Sequence, residues 1–156
     1  MPRKVAIICA NYNYGRFIVE GMKSIQRQTY KGETRLYIVD DGSSDDSWEK
    51  ISEFAAKYPD FVFAKRIENS GASVARNTAI EMCWDWADII GVLDADDAYK
   101  PNKVEKLVEK LMEHPEVGVA YGDYDIHRKY DDKNYVKYEA KGAYCRRGLS
   151  RSCMVH

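Results

Sequence analysis

Ile89-Ile90-Gly91-Val92-Leu93-Asp94-Ala95-Asp96-Asp97 decides how the rest of the chain is read. A short apolar run, bounded upstream by Asp85-Trp86-Ala87-Asp88, has the length and composition of a buried strand. The acids therefore stand where a strand leaves its sheet. Asp94, Asp96 and Asp97 crowded at that point repel one another and lose solvation, so a compensating charge is expected. Hard oxygen ligands favour magnesium or manganese, and a metal held by one or two carboxylates usually completes its shell with phosphate oxygens. The competing reading is a solvated acidic turn that caps the helix after Pro101, since acids are common at helix starts.

A second apolar, β-branched run, Leu36-Tyr37-Ile38-Val39, ends in Asp40-Asp41-Gly42-Ser43-Ser44. Again a strand runs into acids, a glycine turn and a helix start. Ligands of open α/β sheets bind at the carboxyl ends of the strands, so two acidic strand ends point to one site. Asp45 and Asp46 are expected to cap the helix that carries Trp48, Ile51 and Phe54. Asp40 and Asp41 precede that cap, and capping alone does not account for them.

Outward from these two stretches the chain alternates strand and helix. Val5-Ala6-Ile7-Ile8-Cys9-Ala10 reads as the first strand, followed by the turn Asn11-Tyr12-Asn13-Tyr14-Gly15. Phe17, Ile18, Met22 and Ile25 recur at helical spacing up to about Gln28. Residues 35–39, 61–64, 89–93 and 117–121 read as further strands, and 48–57 and 74–82 as helices. In the 74–82 helix Val74, Ala75, Ala79 and Met82 are expected to point inward; Val104, Leu107, Val108 and Leu111 mark a fourth helix. Strict alternation with short connections predicts an α/β fold: a mostly parallel sheet with helices on both faces. After Asp123 the character changes, to five tyrosines, many charges and few aliphatics over 124–144, which reads as an antiparallel extension or a loop.

The 156 residues suit one domain, and 45% hydrophobic against 31% charged residues is a globular composition. Lys plus Arg is 24 and Asp plus Glu 25, so the clustered basic charge of a nucleic-acid footprint is not expected. Cys9, Cys83, Cys145 and Cys153 have no CxxC spacing, which favours free thiols in a reducing compartment over a zinc site. No apolar stretch approaches the roughly 20 residues of a membrane span, and Met1-Pro2-Arg3-Lys4-Val5 opens no signal-peptide apolar region. The expectation is a cytoplasmic location, with membrane association through other segments left open.

Five motifs in order carry a resemblance. They are Ile7-Ile8-Cys9-Ala10-Asn11-Tyr12-Asn13; Ser24-Ile25-Gln26-Arg27-Gln28-Thr29-Tyr30; Val39-Asp40-Asp41-Gly42-Ser43-Ser44-Asp45; Asn69-Ser70-Gly71 with Ala75-Arg76-Asn77; and Leu93-Asp94-Ala95-Asp96-Asp97 with Pro101. Together, over roughly residues 3–125, they resemble the family 2 glycosyltransferases, whose fold is the Rossmann-like GT-A type. The resemblance implies a nucleotide-sugar-binding α/β domain over 1–123 and the start of an acceptor-side extension over 124–156.

It also implies roles. Ala10 and Tyr12 resemble the wall against the nucleotide base, and Asp41 the aspartate that accepts a uracil ring N–H. Arg76 resembles the basic residue near the base and phosphates; its competing reading is a helix-surface ion pair. Asp94 resembles the residue facing the ribose, Ala95 belongs to the same nucleotide-sugar-binding set, and Asp96 resembles the ligand of a Mn2+ or Mg2+ ion. The implied reaction moves a sugar from a nucleoside-diphosphate donor, UDP-sugar favoured, to an acceptor hydroxyl of a glycan, lipid or protein, with inversion. Such a reaction needs a general base. In the family that base lies well downstream of the DxD. Asp123, Asp125, Asp131, Asp132 and Glu139 match no catalytic motif, so no catalytic residue is assigned. The alternative is a nucleotide-sugar-binding module or fragment without efficient transfer. Phosphoribosyltransferases also follow a strand with two acids, but Asp45 and Asp46 stand where their loop cradles phosphate. Receiver domains need acids after the first strand, where Cys9-Ala10-Asn11 stands. Nucleotidyltransferases usually begin with a glycine-rich basic loop that 11–16 does not supply.

Overall fold

β-Branched and aliphatic residues make Val5–Asn11 the first strand, β1, and it is buried almost throughout. In this computed structural model residues 2–123 are described in full, and beyond them the backbone of 127–129, 135–137, 143–145 and 153–155. β2 (Thr34–Asp40) and β4 (Ile89–Asp94) flank β1 in parallel, and β3 (Val62–Arg66) pairs in parallel with β2. Beyond β4 come β5 (Val119–Gly122) and two strands of the late segment, β8 (Ala143–Cys145) and β9 (Cys153–Val155). β9 lies antiparallel between β4 and β5, and β8 antiparallel to β5, giving the order β3-β2-β1-β4-β9-β5-β8. β6 (His127–Lys129) and β7 (Tyr135–Lys137) pair apart from this sheet. The sheet is thus parallel where the motifs lie and antiparallel at one side.

α1 (Ile18–Gln26), α2 (Ser47–Lys57) and α4 (Lys103–Glu113) cover one face of the sheet, packing on Val5, Ile7, Cys9, Leu36, Ile38, Ile89 and Leu93. α4 buries Val104, Leu107, Val108 and Leu111, as its spacing predicts. Burying each such side chain stabilises the fold by about 1.5–3 kcal/mol. α3 (Ala72–Cys83) covers the other face with Ala75, Ala79 and Cys83, spaced four apart. These small residues let it sit close on Ala6, Ile8, Tyr37 and Val39.

The elements end within about two residues of the pattern-based expectation, which is the usual uncertainty of boundaries. One inward assignment is corrected. Val74 is 46% exposed, because the face set by Ala75, Ala79 and Cys83 turns it outward, whereas Met82 is partly buried and packs against that cluster. Phe17 precedes α1 and is 39% exposed; Arg16 covers its ring, with the guanidinium carbon 4.5 Å from the centroid. Cys9 and Cys83 are buried free thiols. Side chains beyond Asp123, including Cys145 and Cys153, lie outside the described residues. Among the described residues no helix is long and apolar enough to cross a membrane.

Candidate functional site

Strand register joins the two acidic ends. β1 sits between β2 and β4, with Asn11 opposite Asp40 and Ala10 opposite Asp94. Asp40 is fully buried and its carboxylate is spent on the fold. It accepts hydrogen bonds from Asn11 Nδ2 at 2.8 Å, Ser43 Oγ at 2.5 Å and Ser43 N at 3.1 Å. Arg66 Nε stands 3.4 Å away, and the same guanidinium donates to the Ser43 carbonyl at 2.7 Å. Paired charge and several donors are what a carboxylate without water requires.

Asp41 points elsewhere. Its Oδ1 accepts the Ser70 N–H at 2.7 Å and its Oδ2 the Gly71 N–H at 2.9 Å. It thereby ties the end of β2 to the start of α3. Asn69 Nδ2 donates back to the Asp41 carbonyl at 3.0 Å. Gly42 makes the turn between them: its φ is +71°, and a Cβ there would lie 2.9 Å from Asn69 N. Each Asp41 oxygen still has a lone pair for a further donor.

The β1–α1 loop is latched in the same way. Asn13, at φ +58°, turns its Oδ1 to the N–H groups of Ser44 (2.8 Å) and Asp45 (3.3 Å), and its own N–H donates to Ser43 Oγ at 2.9 Å. Asp45 accepts from Gly15 N at 2.9 Å and Ser47 N at 3.0 Å. Burial alone would raise the Asp45 carboxyl, but these hydrogen bonds and the Lys50 charge hold it below its ordinary value. The capping expectation for this pair is corrected by half. Asp45 serves the helix start, whereas Asp46 occupies the N-cap position without a side-chain capping bond and pairs with Lys50 at 2.7 Å.

At the end of β4, Arg76 Nη2 meets Asp94 Oδ1 at 2.9 Å. Two residues that the sequence assigned separately are therefore brought together, as an ion pair between helix and strand end. Both are partly exposed, at 42% and 31% of the side chain, and such pairs contribute only about 0.2–1 kcal/mol. Ala95 is buried and Asp96 exposed; Tyr12, 47% exposed, stands after β1. Asp97 keeps solvent contact, yet its carboxyl is pushed up by desolvation and then by the charges of Asp96 and Asp94. Beneath them the Cys9 thiol is pushed up to about 12, by burial first and then by Asp94, with Asp96 adding to it and Arg76 opposing. Asp94 and Asp96 thus both act on Asp97 and on the Cys9 thiol.

Hard carboxylate oxygens clustered at a partly exposed strand end fit a divalent cation. Among the described residues no group of three ligand side chains forms a metal cage. A metal held by one or two carboxylates usually takes the rest of its shell from phosphate and water.

The loop carrying these acids is fixed from behind. Gln28 donates Nε2 to the Ser24 and Lys100 carbonyls and accepts the Val104 N–H at 2.9 Å, capping α4 from 76 residues away. Tyr99 donates its hydroxyl to the Val92 carbonyl at 2.7 Å, and its N–H donates to Ser24 Oγ at 2.9 Å. Gly21 lets α1 pass the loop, since a Cβ there would lie 3.1 Å from the Asp97 carbonyl. Sequence reasoning missed Asn11, Asn13, Asn69, Arg66 and Gln28 as the framework of the site. The Asn-x-Asn and Asn-Ser-Gly stretches were the available signal, because asparagine tolerates left-handed backbone and binds nearby main chain. A cleft of about 290 Å³ lined by Pro2, Tyr30, Val108 and Met112 lies at the opposite, amino-terminal edge of the strands, away from these acids.

Fold and site together define a sheet that gathers acids and an arginine at the carboxyl edge of its parallel strands. The glycosyl transferase family 2 model matches residues 6–151, and the chain belongs to that family. It is 32% identical over 118 residues to an uncharacterized glycosyltransferase of Nostoc sp., covering 76% of this chain and 36% of the relative. It is 33% identical over 125 residues to the Escherichia coli UDP-Glc:alpha-D-GlcNAc-diphosphoundecaprenol beta-1,3-glucosyltransferase, covering 78% and 46%. Among solved structures it resembles a Pyrobaculum calidifontis mannosyltransferase in complex with GDP-Man and Mn2+, at TM-score 0.69 and 25% identity over 76% of this chain and 35% of that one. The Staphylococcus aureus TarS structure with UDP-GlcNAc shares the fold, at TM-score 0.65 and 24% identity over 74% and 33%. The chain thus spans less than half the length of each of these proteins.

Proposed function

We propose that this chain forms the donor-binding part of a metal-dependent, inverting glycosyltransferase that takes a UDP-sugar. The observation that carries this reading is the strand register, which sets the ends of β2 and β4, leading into Asp41 and Asp94, on either side of β1 at one sheet edge, with Arg76 on Asp94. Ala10 and Tyr12 wall the base. Asp41 accepts its ring N–H through a lone pair that the loop contacts leave free; uracil and guanine offer such a group at the pairing edge, cytosine and adenine do not. Arg76 takes the phosphates, Asp94 and Ala95 face the ribose and sugar, and Asp96 holds Mn2+ or Mg2+. That ion's chemistry is to stabilise negative charge on the departing diphosphate.

The relative named for UDP-Glc supports uracil, while the mannosyltransferase with GDP-Man marks guanine as the competitor to be tested. A cytoplasmic location fits the buried free thiols Cys9 and Cys83. The acceptor hydroxyl and the general base stay unassigned. For that reason a nucleotide-sugar-binding module is the second reading, and measuring donor hydrolysis or transfer separates the two.

Calorimetry with UDP and GDP, in Mn2+ and in chelator, tests the proposal. UDP is expected to bind more tightly with Mn2+, and Asp96→Ala to abolish that difference. Equal UDP affinity in Mn2+ and in chelator refutes the reading.

A further inference from the structure

Arg76 and Asp94 are assigned to different parts of the donor, yet they hold one another, Nη2 to Oδ1 at 2.9 Å. We propose that Arg76 is a built-in counter-ion that, by neutralising Asp94, weakens divalent-cation binding at the neighbouring Asp96 until a nucleoside diphosphate draws its guanidinium away. The inference rests on the donor reading above and adds an order to it.

Two observations support it. The contact is a single hydrogen bond between partly exposed side chains, not a two-point clamp, so it exchanges readily. The backbone that carries Arg76 is held: Ala75 and Ala79 are fully buried on the sheet, and Asp41 grips the Gly71 N–H just before α3. Only the long side chain need move.

The exchange follows from charge and geometry. A guanidinium prefers a diphosphate, which offers several anionic oxygens and two-point contact, to one carboxylate oxygen. Its departure restores the full charge of Asp94 beside Asp96. A cation arriving at Asp96 with the diphosphate then feels the unneutralised charge of Asp94 beside it, whereas a cation arriving alone meets a site partly neutralised by Arg76. Metal and nucleotide therefore promote each other's binding, by the same factor in both directions.

The test is Mn2+ binding without nucleotide, read from the paramagnetic resonance signal of free Mn2+, on the whole chain and its variants. A unit positive charge about 5 Å from a divalent ion in near-water dielectric, screened by physiological salt, changes affinity by roughly 4- to 16-fold. Arg76→Gln is thus expected to bind Mn2+ alone roughly 4- to 16-fold more tightly than wild type, and UDP in chelator more weakly. Arg76→Lys keeps the charge and is expected to stay near wild type for Mn2+. A purely structural arginine would not improve any affinity when removed. Unchanged or weaker Mn2+ binding by Arg76→Gln overturns the proposal, and so does equal tightening by Arg76→Lys. If wild type takes up Mn2+ with UDP in either of those cases, the donor reading survives; if it does not, both fall.

Discussion

Replacing Asp40 by asparagine removes one acceptor oxygen from a fully buried network and leaves the shape almost unchanged. Oδ1 accepts from Asn11 Nδ2 and Ser43 Oγ; Oδ2 accepts from Ser43 N and faces Arg66 Nε. Whichever oxygen becomes the amide nitrogen, two donors then face a donor. Hydrogen bonds to a charged group contribute about 1.5–3 kcal/mol each. The Ser43 hydroxyl can rotate and Arg66 is partly exposed, so each orientation retains some compensation. Release of the carboxylate's own desolvation cost offsets a further part. The expected net loss is about 3–4 kcal/mol. For a chain of this size that lowers Tm by roughly 6–16 °C, at about 2–4 °C per kcal/mol. Urea unfolding followed by tryptophan fluorescence measures it, and a double-mutant cycle with Ser43→Ala isolates the pair. The midpoint should fall with the slope unchanged. A loss under about 1 kcal/mol would refute the assignment of Asp40 to the fold and return it to the list of ligand-binding acids.

Asp41→Ala is expected to weaken UDP by roughly 10- to 100-fold, the loss of one charge-assisted hydrogen bond, and ribose diphosphate much less. Equal weakening in calorimetry would leave Asp41 as a latch for Ser70 and Gly71 alone. Gln28→Ala strips the Val104 N–H of its partner and takes one of two donors from the Lys100 carbonyl, which keeps the Lys103 N–H, so stability should drop by about 1–2 kcal/mol in thermal unfolding. No measurable change would mean that α4 is capped well enough by water. The Cys9 thiol, near 12 in the folded chain against an ordinary 9, favours the folded state fully below pH 9. That contribution is lost as pH rises from 9 towards 12, and in the native chain Cys9, followed by peptide mass spectrometry, should resist thiol reagents at pH 8 that label it rapidly in urea. Rapid labelling without denaturant would contradict the burial.

The alternation of strand and helix was legible because burial leaves a period in the sequence. Val104, Leu107, Val108 and Leu111 announce one buried helix face without reference to anything else in the chain. The acids after Val39 and Leu93 could likewise be placed at strand ends, and α/β topology puts such ends on one edge. The sequence did not tell Asp40 from Asp41. Adjacent residues with the same side chain leave the backbone in different directions, and one meets Asn11 and Ser43 while the other meets Ser70 and Gly71. Nor did it tell that Arg76 pairs with Asp94, or that Val74 turns outward, since both follow from how α3 is rotated on the sheet. Local pattern records which side of an element avoids water. Hydrogen-bond and charge partners are chosen among groups that only the folded chain brings within about 3 Å of one another, and that choice belongs to the tertiary structure.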